Sequence, residues 1–370
     1  MAAKCKEIIA IMEELAPPEL AEKWDNVGLM LGSSEMEVKR IMVCLDVNLS
    51  VVMEAASRGV NLIISHHPLF FRPIKKLCFD EDIGELVKNL FQENIMVYSA
   101  HTNLDSADLG INYHLAAKLE LSDIDVLVPT SYEKYYKLTT FVPAEYEKNV
   151  RQALTMAGAG WIGNYSECTF RVAGTGTFRP LKGTNPHIGQ EGKLTEVEEY
   201  RLETIVPTDK LPEVLQALIK AHPYEEVAYD IYPLVNKGPA QGLGRIGQLP
   251  HAVNLKDFAL TIKEILKAPR VNIVGDEQRK IKKVAVCGGA GSEVMSQAKA
   301  AGADVLITGD LKYHEAQKAL GMNMAIIDAG HYYTERLIVP ALVDYLQERL
   351  QPYEVMVLAS QSEKEPWQVL

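Results

Sequence analysis

One pattern recurs along this chain and leaves few folds open. Lys39-Arg-Ile-Met-Val-Cys44 leads through a helix-like stretch into Leu62-Ile-Ile-Ser-His66-His67, and Lys282-Lys-Val-Ala-Val-Cys287 leads through another into Leu306-Ile-Thr-Gly-Asp310. The same number of residues separates Cys44 from His67 and Cys287 from Asp310. A second matched pair follows, Tyr98-Ser-Ala-His101 with Asp105 against Asp328-Ala-Gly-His331 with Glu335. Short, continuously apolar strands alternating with helices form a mostly parallel sheet covered on both faces. The expected class is therefore α/β, with two similar α/β halves making one core.

The elements follow that rhythm. Residues 4–16 read as an amphipathic helix ended by Pro17-Pro18. Ile41–Leu45, Val60–Ser65 and Ile95–Ala100 read as strands, with Leu49–Arg58 and Ile83–Glu93 as helices between them. In the second half, Leu255–Leu266, Glu293–Ala301 and His314–Leu320 read as helices, Lys283–Cys287, Val305–Thr308 and Met324–Asp328 as strands, and Tyr333 to Leu350 as one long final helix.

Between the halves the character changes. Leu138-Thr-Thr-Phe-Val-Pro143 recurs as Leu202-Glu-Thr-Ile-Val-Pro207, and Gln152-Ala153-Leu154 recurs at the same offset as Gln216-Ala217-Leu218. Each copy reads strand, proline, helix and return strand, and two such copies in tandem make a ferredoxin-like α+β unit. The expected domains are 1–131 and 238–370 for the two halves of the core, with 132–237 inserted between them. Tyr132–Lys134 and the glycine-rich Gly238–Gly247 serve as the expected hinges.

Composition narrows the function. A chain of 370 residues exceeds one ordinary core, and 47% apolar with 24% charged residues is the balance of a globular protein. A net charge of −11 argues against nucleic acid as a partner, whose binding depends on Lys and Arg at phosphates. The five cysteines are scattered and odd in number, without C-x-x-C spacing, so neither a disulfide framework nor a zinc ribbon is expected. Cys44 and Cys287, inside apolar runs, read as buried small hydrophobes. No apolar run reaches the roughly 18 residues of a membrane span, and the start of the chain lacks the layout of a secretory signal. The expectation is a cytoplasmic protein with no membrane partner.

His66, His67, His101, Asp105, Asp310 and His331 all fall at or just past the C-terminal end of an expected strand, where open α/β sheets gather their ligands. A lone loop histidine is usually solvated or capping. Several, at corresponding strand ends of repeated halves, point instead to a metal. His331 and Glu335 share one helix face at i and i+4, and Pro68 stiffens the chain after His66-His67. Consecutive histidines point apart, which fits one ligand for each ion of a two-metal site. His114, His187, His222 and His251 have no such partners and read as structural or surface residues.

Trp24-Asp-Asn-Val-Gly-Leu, Ser65-His-His-Pro-Leu-Phe, Ala100-His-Thr-Asn-Leu-Asp105, Ile307-Thr-Gly-Asp-Leu-Lys-Tyr-His314 and Asp328-Ala-Gly-His-Tyr with Glu335 together resemble the NIF-three-like proteins, also labelled GTP cyclohydrolase 1 type 2 homologues. The resemblance implies a dinuclear metal site carried by His66, His67, Asp105, His331 and Glu335. It implies two divalent transition-metal ions per chain (zinc, iron or manganese) and a ring-shaped homohexamer whose sites face an internal cavity. The insert resembles the PII- or CutA-like domain of longer bacterial members.

On this reading the chain is a two-metal hydrolase of a phosphoester, nucleotide or related heterocycle, with Asp105 and Glu335 as candidate bridges between the ions. His101 falls outside the five and is the candidate catalytic proton-transfer group, with Asp310 and His314 behind the ligands. The alternative is a metal-binding regulatory or carrier protein without turnover, using the insert as a sensor.

Three further features carry less. Gly288-Gly289-Ala290-Gly291-Ser292 could present backbone amides to a phosphate, but a tight strand-to-helix turn is the simpler reading. The stretch Phe70–Lys76 is a candidate lid or an oligomer contact. Ala221-His-Pro-Tyr-Glu-Glu226 reads as a structural turn.

Overall fold

The structure is a computed structural model and describes residues 2–369. It divides into two compact units: the chain up to Ser131 together with the chain from Gln241 onward, and Tyr132–Ala240.

The first unit holds two sheets that position the site. One has the strand order Met356–Ala359, Arg40–Cys44, Leu62–Ser65, Met96–Ser99, Gly28–Leu31. The first four run parallel and the last antiparallel. The apolar runs of its central strands are buried because both faces are covered. Ile8, Met12, Leu342 and Leu346 pack with Ile41, Val43, Leu62 and Ile64 on one face. Val51, Val52, Leu86 and Leu90 pack with Met42, Ile63 and Val97 on the other. Each such side chain contributes about 1.5–3 kcal/mol of hydrophobic free energy.

In the other sheet Lys280–Val286, Val305–Thr308 and Ala325–Asp328 run parallel. Antiparallel neighbours flank them, Asn272–Val274 on one side and the Arg245–Asn254 stretch on the other. Phe258, Ile262 and Leu266 of the helix Leu255–Leu266 cover one face, and Met295, Ala298 and Ala319 cover the other.

In the second unit the strand order is the start of Tyr229–Asn254, the end of Ser122–Pro143, then Thr195–Pro207 and Thr169–Phe178. Helices Glu147–Met156 and Leu211–Ala221 lay Val150, Leu154, Val214 and Leu218 onto Leu138, Val142, Leu202 and Val206. Among the described residues no helix is long and apolar enough to cross a membrane.

The structure departs from the sequence reading in three places. The final helix is broken into His331–Glu335 and Ile338–Arg349. Pro340 explains the break: it has no N–H for the carbonyl of Arg336, and in a continuous helix its ring would clash with that carbonyl. The segment Gly238–Gly247 is extended within the strand Tyr229–Asn254 rather than looped. The helix Glu293–Ala301 is replaced by a 3-10 turn, Gly291–Val294, followed by a short helix, Met295–Ala300.

The edge strand Met356–Ala359, unread in the sequence, is followed by a latch. Glu54 Oε2 accepts from Ser360 Oγ, Gln361 N, Ser362 N and Ser362 Oγ at 2.9–3.0 Å, and Oε1 accepts from Arg58 at 2.8 Å. Burial raises the carboxyl pKa, but these donors outweigh burial and bring it from 4.5 down to about 2. Because the folded value is depressed, the stabilisation is complete above pH 4.5 and is lost as pH falls through about 2. Glu54→Gln is expected to cost about 1–3 kcal/mol at neutral pH. In thermal unfolding, the gap between wild type and variant should close as the solution is acidified through that window.

Candidate metal centre

Every candidate ligand lies in the first unit. His66 and His67 leave the strand Leu62–Ser65 with their amides still bonded to Cys44 O (3.1 Å) and Leu45 O (2.8 Å), so the parallel ladder fixes where both rings start. His101 caps the short helix Thr102–Ser106, which carries Asp105 one turn on. His331 and Glu335 begin and end the helix His331–Glu335.

The fold brings these side chains together. His67 Nε2 lies 3.1 Å from Glu335 Oε2 and 3.3 Å from His331 Nε2, and His331 Nε2 lies 3.0 Å from the same Glu335 oxygen. His66 Nε2 stands 3.7 Å from Glu335 Oε1 and 3.9 Å from Asp105 Oδ1. Ring nitrogens of His66, His67 and His101 fall within 4.8 Å of one another, as do the ligand atoms of His67, His331 and Glu335.

The other ring nitrogen of each histidine is already committed. His66 Nδ1 bonds Ala100 O at 2.9 Å, His67 Nδ1 bonds Asp46 at 2.8 Å, His101 Nδ1 bonds Asp25 at 2.9 Å, and His331 Nδ1 bonds Asp310 at 2.8 Å. A carbonyl or carboxylate beside Nδ1 makes that nitrogen the donor and turns the Nε2 lone pair inward, as metal-ligating histidines are held. His66 Nε2 is fully buried with no hydrogen-bond partner, a cost of about 1–3 kcal/mol if nothing meets it. Glu335 Oε2, His67 Nε2 and His331 Nε2 are lone-pair atoms within 3.3 Å of one another. Such a triangle needs a positive charge between its members. Its edges match the roughly 3.3 Å between ligand atoms of a tetrahedral cation with bonds of about 2.0–2.1 Å. The residues present therefore fit a metal ion.

Without a cation, protons take that place. Burial lowers the pKa of His67, but Asp46 and Glu335 outweigh burial and push it up to about 10. His331 is likewise lowered by burial and then pushed up to about 9 by Glu335 and Asp310. The two carboxyls divide: burial and the charge of Glu335 raise Asp105, while the surrounding imidazoles outweigh burial and hold Glu335 well below the usual range. Asp25 is also held low, because His101 and Thr102 donate to it strongly enough to overcome its burial.

Asp25 and Asp46 were not singled out from sequence. A repeated spacing signals Asp46, since it stands 21 residues before His67 and Asp310 stands 21 before His331. Asp25, 76 residues from His101, has no comparable signal. The tail adds support, with Glu363 Oε1 accepting from the amides of Leu45 (2.8 Å) and Asp46 (2.6 Å).

Three amides of the glycine loop are not free for a phosphate. The amides of Gly288, Gly289 and Gly291 already donate to Asn112, Thr334 and Thr308 at 2.8–3.0 Å. Its function is to leave space: Gly289 has a left-handed φ of 60°, and a Cβ there would fall 2.1 Å from Glu335 Oε1. Asp310 holds His331 as described, whereas His314 is exposed on the helix Tyr313–Gly321. His222 is a buried structural residue bonded to Phe141 O at 2.9 Å, and His187 and His251 are exposed.

A cavity of about 260 Å³ opens beside the cluster, with Trp24, Phe71, His101, Asp105, His331 and Glu335 in its wall. Trp24 and Phe71 are half exposed, their rings 5.6 Å apart and each 6.1 Å from His101. Phe71 comes from the candidate lid Phe70–Lys76, tied to the Trp24 segment where Asn26 donates to Phe70 O at 2.7 Å.

Known proteins resemble this chain along most of its length. The family model described as Duf34/NIF3 (NGG1p interacting factor 3) matches residues 3–366. A protein of Halalkalibacterium halodurans named GTP cyclohydrolase 1 type 2 homolog is 42% identical over 367 residues, covering 99% of this chain and 98% of its own. One of Bacillus subtilis with the same name is 46% identical over 327 residues, 88% of each chain. The crystal structure of a Bacillus cereus protein related to NIF3 superposes with a TM-score of 0.94 at 41% identity and covers all of both chains.

Proposed function

The chain belongs to the Duf34/NIF3 family, and on that premise we propose that the cluster is the two-cation centre of a hydrolase. His66, His67, Asp105, His331 and Glu335 hold two divalent transition-metal ions, zinc, iron or manganese. The observation that carries this reading is the fully buried, unpartnered His66 Nε2 facing a triangle of lone-pair atoms. Bound divalent cations supply Lewis acidity and make water a nucleophile near neutral pH. The chain's own residues do the rest. Asp46 and Asp310 hold the rings of His67 and His331 in place. His101, its tautomer set by Asp25, keeps its other nitrogen for the cavity and moves a proton there. Trp24 and Phe71 offer flat faces to a planar ring, which favours a nucleotide or related heterocycle over a plain phosphoester. The relatives' name, GTP cyclohydrolase 1 type 2 homolog, makes guanine nucleotides the first to try.

The test is a panel of nucleotides and phosphomonoesters with metal-loaded and chelator-treated protein. Metal-dependent turnover is expected, and His101→Ala should lower kcat about 10²–10⁴-fold while keeping its metal. Full metal occupancy with no turnover on any member would contradict the hydrolase and favour the regulatory or carrier reading.

Three further proposals rest on the family likeness and the chain's own pattern. The two sheets of the first unit are two similar halves, supported by three parallel strands taken in chain order in each. Residues 132–237 form an inserted ferredoxin-like domain of the PII or CutA kind, supported by the order of its four strands. The protein is a cytoplasmic homohexamer with its centres facing an internal cavity.

A further inference from the structure

The second unit has a cavity of its own. It measures about 380 Å³ and includes Phe141, Phe178, His187, Glu199, Tyr224 and Glu226 in its wall, a size within the usual range for small-molecule sites. Glu199 is 8% exposed. A Cβ at Gly176, on the neighbouring strand, would fall 2.1 Å from Glu199 Oε2, so that carboxylate oxygen occupies space only a glycine leaves open. Oε1 accepts from Tyr224 OH at 2.8 Å. Among the described residues no cationic nitrogen lies within 4.0 Å of the carboxylate, and the arginines of the same sheet are taken, Arg171 by Glu147 and Arg201 by Glu203. A carboxylate so deeply buried normally has a charged partner, because one neutral hydroxyl does not compensate its lost hydration.

The rest of the wall says what kind of partner is missing. The Tyr224 ring lies 5.8 Å from Phe178 and 6.4 Å from His187. Aromatic faces beside a buried carboxylate suit an organic cation, which meets the ring quadrupoles and the negative charge at once. Glu226 adds negative charge, while Glu225 is engaged with the amide of Asn185 at 3.0 Å. Phe141, Phe178, Pro180 and Ile188 make the wall too apolar for a bare metal ion. His222 sets the stage without joining it: Nε2–H donates to Phe141 O, and Nδ1 accepts from the amide of Tyr224, which aims the tyrosine at Glu199.

We propose that this cavity is a second ligand site, independent of the metal centre, which binds a small organic cation with its charged nitrogen at Glu199 and its body against Tyr224 and Phe178. The test titrates the full-length protein calorimetrically with phenethylammonium, agmatine and the neutral shape-match 2-phenylethanol. At least one cation is expected to bind with a Kd below about 1 mM, and 2-phenylethanol about tenfold more weakly. Glu199→Gln should weaken the cation about tenfold and leave 2-phenylethanol unchanged, whereas His67→Ala should change neither. If circular dichroism shows Glu199→Gln unfolded, Phe178→Ala is read instead, with weakened binding of the cation expected. No cation binding at roughly 10 mM, equal binding of cation and alcohol, or indifference of a folded variant would overturn the proposal.

Discussion

Glu335→Ala will lower metal affinity by at least about a hundredfold, measured by competition with a chromophoric chelator. The scale follows from the residue's place. Outer residues that merely orient a ligand are worth about 10–100-fold, and Glu335 is in the cluster itself, in contact with three imidazoles. Its Oε2 sits 3.0–3.1 Å from His67 and His331, its Oε1 3.7 Å from His66, and its side chain is 5% exposed. No described neighbour can replace it, because Asp46 and Asp310 are already spent on the Nδ1 atoms of His67 and His331. Asp46→Ala should give a smaller loss, about tenfold, since it leaves every inward-facing atom present and only frees one ring to turn.

Arg245→Leu will destabilise the first unit by about 3–5 kcal/mol. Arg245 is 2% exposed, and its guanidinium donates to four carbonyls: Gly242 O and Gly244 O at 2.9 Å, Ala107 O at 2.5 Å and Asp108 O at 3.1 Å. Leucine fills part of the volume and leaves those acceptors buried without donors. In calorimetry the unfolding transition of this unit should fall by roughly 6–20 °C, at about 2–4 °C per kcal/mol for a domain of this size. Arg245→Lys should rescue little, because a single ammonium lacks the planar fork that spans four acceptors. The same contacts anchor the turn just past Asp105, so metal affinity should fall as well. A stable variant with unchanged affinity would remove Arg245 from this account.

The site was more legible than its supports. His66, His67, His101, Asp105, His331 and Glu335 were readable because their chemistry coincides with strand ends and repeats along the chain, and the structure brings them together. Asp25, Asp46 and Glu363 act through contacts to residues far away in sequence: Asp25 stands in a quoted motif and Asp46 at a repeated spacing, but neither feature names the histidine it holds. Central strands were legible because burial on both faces forces continuous apolar runs. The final helix was not, since its apolar period runs through Pro340 and hides the break. The edge strand Met356–Ala359 and the segment Gly238–Gly247 were missed for a related reason. Both are held extended by pairing with distant strands, which overrides what composition suggests locally.

Elemental analysis of protein purified without chelator shows whether the cluster holds metal, with a His67→Ala/Asp105→Ala double variant alongside. About two transition-metal equivalents per chain are expected in the wild type, lost in the variant with its secondary structure intact. No metal in the wild type, even after reloading with zinc, manganese and iron, would contradict the two-cation centre and leave the inward-facing histidines to protons alone.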